Sequence, residues 1–350
     1  MGFESRVKLI KEIGKLRNSA VISYITSDRP GPVSAKIAMD VIPLFYNHLK
    51  KLGHSKKIDL FIYSLGGDTM APLRLVHLLR EFCDKFGVLV AYKAHSAATL
   101  VAIGADEIVM GPLGELSPID PTITTAFNPP HPENPQEPKV EISIEDVMSF
   151  VNLAKEKVGL SDQDNLVRVF EKLTERIHPL ALGGVYRSHA LIRLMAEKLL
   201  KLHTKDKEKS QRISQIVDKL AEKLYYHAYL ITRTEAEELG LKIVKPQKDL
   251  EDLMWNLYSE YETAMELGRP FNPFDYIRPE LEAERVDKEF DIAFIESEKL
   301  VHRGCKKLRI LKTLLATPAP SPIPGPPVQI QVQDLGFEWK IEKVEVKEVE

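Results

Sequence analysis

The chain has 350 residues, 44% hydrophobic and 28% charged. That is apolar material for a sizeable core, and it excludes a wholly disordered chain. The 48 basic and 51 acidic side chains leave a net charge of -3, which argues against a basic nucleic-acid coat. Cys83 and Cys305 are too few and too far apart for a disulfide framework or a thiolate zinc site, and fit a reducing compartment.

Residues 1–18 alternate charged and single apolar residues and read as a helix or arm. They lack the apolar core of a signal peptide, and no stretch approaches a membrane span. The expectation is a cytoplasmic protein with no integral membrane segment. From residue 19 the pattern alternates strand and helix. Residues 20–25 are a β-rich run ended by the turn signal Asp28 to Pro32. Residues 36–52 have apolar positions at helical spacing. Ile58 to Tyr63 is a second strand, 70–86 a helix, Val88 to Tyr92 a third strand, 97–104 a small apolar helix and Glu107 to Met110 a further strand. Strand–helix alternation with short links predicts right-handed crossovers and a parallel sheet.

Residues 128–138 hold five prolines in eleven positions and are a loop. Helices are predicted at 143–157, 164–176, 186–204, 209–227 and 249–266. A short one follows Thr232 or Thr234 as cap and stops at Gly240. Residues 291–295 and 307–315 read as strands, 317–327 as a linker with six prolines, and the tail 328–350 as an edge strand for a partner or a mobile end. The boundaries drawn are 1–18, a core domain over 19–266 with a helical insert at about 143–227, an extension over 267–316, and a linker and tail over 317–350.

Two loops carry the chemistry. Ser64-Leu65-Gly66-Gly67-Asp68 follows a buried strand and opens a helix. Adjacent glycines there let backbone N–H groups face outward. No lysine follows them, so this is no P-loop. Its ordinary reading is a tight turn. Lys93 to Thr99 is the second loop, placing Ser96 at a helix N-terminus, where negative charge is favoured and where serine most often serves as a cap. In a parallel sheet both loops reach the edge where such folds bind ligands. The ten histidines show no zinc-protease spacing, and no cofactor or metal is implied.

SLGGD (64–68), AHSAATLVAIGADEIVMGP (94–112), GELSPIDP (114–121) and TRTEAEELGL (232–241) together resemble the Clp protease/crotonase superfold, and within it the serine dehydrogenase proteinase family, akin to signal-peptide-peptidase-type enzymes. The resemblance spans about 19–260. It implies a Clp protease/crotonase-like spiral of βαβ units, a serine peptidase acting on peptides or unfolded protein, and a homo-oligomer. It makes Ser96 the nucleophile, with the N–H groups of Gly66 or Gly67 and of Ala97 as oxyanion hole. Clp-type enzymes place a histidine after the serine-bearing helix. Here that stretch is Ser117 to Pro121, with none. Relatives with a Ser-Lys dyad make Lys139, 43 residues beyond Ser96, the expected base. His227 is the alternative, followed by His189 and Asp120, while His95 is read as structural. A crotonase-type acyl-CoA enzyme, which would use Glu115 or Asp120, and an inactive oligomeric scaffold are the competing functions.

Overall fold

The computed structural model describes residues 3–119, 122–123, 125–131, 139–203, 209–223, 229–277, 284–314 and 328–343. In chain order α1 (Phe3–Arg17) leads to β1 (Ala20–Thr26), α2 (Val41–Leu52), β2 (Ser55–Tyr63), α3 (Ala71–Arg80), β3 (Cys83–Val90), β4 (Lys93–Ala94), α4 (Ala97–Ile103), β5 (Glu107–Met110) and the two-residue strands β6 (Glu115–Leu116), β7 (Thr122–Ile123) and β8 (Ile142–Ser143). A helical layer follows: α5 (Ile144–Asn152), which continues into a π turn, α6 (Gln163–Arg176), α7 (Pro179–Lys201) and α8 (Lys209–Asp218). Then come β9 (Ile231–Thr232), α9 (Arg233–Leu239), β10 (Ile243–Val244), α10 (Lys248–Met265), β11 (Arg285–Ser297), β12 (Leu300–Leu314) and β13 (Val328–Lys343).

Eight strands form the main sheet in the order β10-β5-β3-β2-β1-β11-β12-β13. The first five are parallel to one another, and the last three add as an antiparallel meander on β1. The parallel strands are apolar on both sides because both faces are covered. On one face Phe45, Leu75, Leu79, Leu100, Val101, Ile192 and Leu199 join α2, α3, α4 and α7 to Ile22, Leu60 and Val88. On the other, Ile10, Ile13, Leu257 and Tyr261 of α1 and α10 pack on Ile25, Phe61 and Leu89. Among the described residues no helix is long and apolar enough to cross a membrane.

The mixed α/β architecture expected from the sequence is present, with three differences. Residues 36–40 are not helical, because the backbone of Ile37 is engaged elsewhere: its N–H donates to Gly66 O (2.8 Å) and its carbonyl accepts from Asp68 N–H (2.8 Å). The helix ends at Arg80, because Cys83 to Phe86 already pair with β2. Residues 328–343 add an edge strand to their own sheet rather than to a partner's, pairing along all of β12. Thr232 is the cap of α9, with Glu235 reciprocating, and Gly240 ends it in the left-handed region (φ 97°).

Candidate active site

The loops after β2 and β3 lie against each other at the C-terminal edge of the parallel strands. Ser64 N–H donates to Lys93 O (3.0 Å), and His95 N–H donates to Ser64 O (2.9 Å). This lattice sets Gly66 beside the Ser96–Ala97 backbone. A Cβ at position 66 would stand 2.7 Å from Ser96 Cβ and 3.1 Å from Ala97 N. Gly66 and Gly67 have φ of 106° and 152°, a region that side chains strain to enter. A Cβ at 67 would meet Ile37 O at 2.2 Å.

Ser96 is one of three non-glycine residues with positive φ among the described residues (φ 49°, ψ -111°). Such a conformation costs about 1–3 kcal/mol and persists only where the surroundings impose it. Ser96 stands at the N-cap position of α4 but makes no side-chain cap bond. Its Oγ has no hydrogen-bond partner among the described residues, and the side chain is only partly buried. The ordinary role of a serine at a helix start is therefore not the one it plays.

The four N–H groups of Gly66, Gly67, Ser96 and Ala97 differ in commitment. Gly66 N–H donates to Ser64 Oγ (3.0 Å), and that hydroxyl is itself fixed by Thr26 Oγ1 (2.7 Å). Gly67 N–H and Ala97 N–H meet no acceptor among the described residues. Ser96 N–H is taken by Ser117 Oγ (2.8 Å). The loop thus offers two free backbone donors, one on each side of the β2–β3 junction.

The titratable neighbours are paired. His95 Nε2 lies 3.1 Å from Glu115 Oε1, and burial, opposed by Lys93, holds the Glu115 carboxyl above its ordinary value. Lys93 Nζ donates to Asp28 Oδ2 (2.8 Å), which also accepts from Tyr63 OH (2.6 Å), while Gly268 N–H donates to Oδ1 (2.8 Å). Burial opposes the charge of Asp28, but these partners outweigh it and keep its carboxyl below the usual range. A lysine so committed to a carboxylate is a poor base for Ser96.

Of the expected bases, Lys139 sits on a turn away from any contact with Ser96. Its Nζ donates to the Ala126 carbonyl, and the turn is pinned by Val140 N–H to Pro129 O (3.0 Å) and Asn128 Nδ2 to Val140 O (2.8 Å). Phe127 of the same turn stacks on His178, with ring centroids 4.8 Å apart. His189 is buried on α7. His227 and Asp120 lie outside the described residues. Glu115 pairs with His95, which gives that histidine a partner other than Ser96. Sequence reading missed Ser64, Thr99 and Ser117, whose hydroxyls hold the two loops. All three stand inside the quoted motifs, and only that place could have marked them.

Residues 2–146 match the sequence profile of the ClpP-like SDH-type serine proteinases. That is the family the four motifs pointed to. Two uncharacterised proteins of Methanocaldococcus jannaschii are similar over most of the chain. One is 26% identical, covering 75% of this chain and 78% of the relative; the other is 22% identical, covering 68% and 71%. Among solved structures, a membrane-bound stomatin-specific protease is 12% identical, covering 67% of this chain and 84% of its own, with a TM-score of 0.37.

Proposed function

We propose that the protein is a serine peptidase with Ser96 as nucleophile and the N–H groups of Gly67 and Ala97 as its oxyanion hole. The observation that carries this is Ser96 itself: a strained serine whose hydroxyl has no partner among the described residues, followed by the uncommitted Ala97 N–H and packed against the Gly66–Gly67 loop. Ser96 Oγ attacks the substrate carbonyl carbon as its proton passes to a base. The carbonyl oxygen becomes an oxyanion between the two N–H groups. The C–N bond then breaks, the amine leaves with the proton, and water hydrolyses the acyl-enzyme. One such donor is worth about 2.7–4 kcal/mol in the transition state. With Gly66 N–H spent on Ser64 Oγ, Gly67 is the better donor of the two glycines.

The base in this reading is Lys139, with His227 the alternative. Lys139 donates to the Ala126 carbonyl, so in this reading a bound peptide must draw Lys139 off that carbonyl and toward Ser96. A lysine acts as base only when neutral, so hydrolysis should rise with pH. Lys139→Ala and Lys139→Arg should both lose nearly all hydrolysis, since guanidinium stays protonated. Retained activity in Lys139→Ala with loss in His227→Ala would make the histidine the base. The substrate class in this reading is peptide or unfolded protein.

We also propose a homo-oligomer built through the helical layer. Neither α5 nor α6 buries a single residue, and Met148, Phe150, Leu153, Val158, Val167 and Phe170 are exposed. On α6 the apolar Leu166, Val169 and Leu173 are only half-buried, while Val167 and Phe170 stand exposed, and an amphipathic helix of 14 residues so thinly covered is marginal in water.

A further inference from the structure

We infer that Ser117 is a positioning residue that holds Ser96 in its strained turn, an inference that rests on the peptidase reading above. Ser117 is 3% exposed and lies just past β6, twenty-one residues beyond Ser96. Its hydroxyl does two things at once. It accepts Ser96 N–H (2.8 Å) and donates to Pro118 O (2.9 Å). Its own N–H donates to Thr99 Oγ1 (3.1 Å), and that hydroxyl donates to Ala94 O (2.7 Å). The chain of bonds runs from the residue before His95, through the first turn of α4, to Ser117 and back to Ser96. It clamps the turn from both ends.

Two consequences follow from this circuit. Ser96 N–H is removed from the set of donors available to an oxyanion, so only Gly67 and Ala97 remain. The peptide plane before Ser96 is also held, which with α4 fixed beyond it favours φ at 49° and ψ at -111° and so the placing of the Ser96 side chain and Ala97 N–H. A group here must accept one hydrogen bond and donate one, which serine and threonine do and alanine does not. Alanine would leave the part-buried Ser96 N–H without its acceptor, and the turn would relax toward negative φ to rehydrate it. Ser117, which opens the stretch that lacks a histidine, thus acts on the nucleophile through the Ser96 N–H.

The test uses the full-length protein, a fluorophosphonate probe and a peptide substrate. In labelling, Ser96 Oγ bonds to phosphorus, fluoride leaves, and the hydroxyl proton passes to the base. Ser117→Ala should label and turn over about 100-fold more slowly, the scale of a misplaced reacting group, with KM little changed. Ser117→Thr should restore the rate. Rates are taken per folded molecule, from circular dichroism, so that lost stability alone does not register. A crystal structure of Ser117→Ala should show Ser96 out of the positive-φ region. Wild-type rates in Ser117→Ala, or Ser96 unmoved at φ near +50°, would overturn the inference. If the wild type itself does not label, the peptidase reading fails. The conformation of Ser96 in Ser117→Ala then decides the positioning role alone.

Discussion

A methyl group at position 66 would reach within 2.7 Å of Ser96 Cβ, a distance real Cβ atoms do not adopt. The backbone there also lies at φ 106°, so alanine is strained as well as crowded. Gly66→Ala should therefore displace the nucleophile even though Gly66 N–H is already spent on Ser64. We expect a loss of probe labelling of about 100-fold or more, with the α-helical signal in circular dichroism retained. Labelling at the wild-type rate would mean that the loop after β2 does not shape the site. At this scale the sequence was informative where a motif forces the backbone. SLGGD and AHSAA announced the turn and the serine. Which of Gly66 and Gly67 keeps its N–H uncommitted was not legible, because it depends on Ser64 Oγ, and a serine two residues before a glycine carries no signal of where its hydroxyl points. The base was not legible either. A lysine's reach is set by the turn that holds it, and here that turn sends Lys139 to the Ala126 carbonyl.

Among the secondary elements, α2, β11 and β12 are joined by buried polar side chains. His48 Nδ1 lies 2.8 Å from Ser297 Oγ, and His48 Nε2 lies 2.9 Å from His302 Nδ1. Both rings are fully buried, and His302 Nε2 has no partner among the described residues. Burial pushes His48 down to about 3, with His302 and Lys51 adding to it, and pushes His302 down to about 4, aided by Lys51. Both are neutral in the fold, whereas in the unfolded chain each protonates near pH 6.5. Stability is therefore complete above about 6.5 and declines as pH falls below it, by roughly 2 kcal/mol per histidine between pH 7 and 5. Urea titrations at the two pH values test this. His302→Phe should flatten the dependence, and an equal slope in wild type and variant would contradict it. The strands concerned were only half visible in the sequence. Their cores, Asp291 to Ile295 and 307–315, were read as strands. The flanks alternate charge with apolar residues because one side is laced by pairs such as Arg309–Asp287 and Lys340–Glu289. Such polar, partly exposed strands look like linker until their partner strand is known.

At the scale of the whole molecule the main sheet runs from β10 to β13, and the helical layer leaves Met148, Phe150, Val167 and Phe170 exposed on α5 and α6. Light scattering at micromolar concentration should give a multiple of 39.7 kDa, and Val167→Lys with Phe170→Glu should shift it toward the monomer. A wild-type monomer would contradict assembly through this layer. At this scale the alternation of strands and helices over 19–110 was legible, because each parallel strand is a short apolar run between turn signals. The closure of the sheet by residues 285–343 was not. Antiparallel addition of β11 to β1 joins residues such as Ile22 and Ser297, and no local pattern marks partners so far apart in sequence.

The central claim is that Ser96 is a nucleophile, and the most direct measurement is the site of covalent labelling. The wild-type protein is incubated with a fluorophosphonate and digested, and the adduct is located by mass spectrometry. The account predicts one adduct per chain, on the peptide containing Ser96, and none in Ser96→Ala folded as the wild type is. An adduct on another residue, or equal labelling of Ser96→Ala, would contradict it.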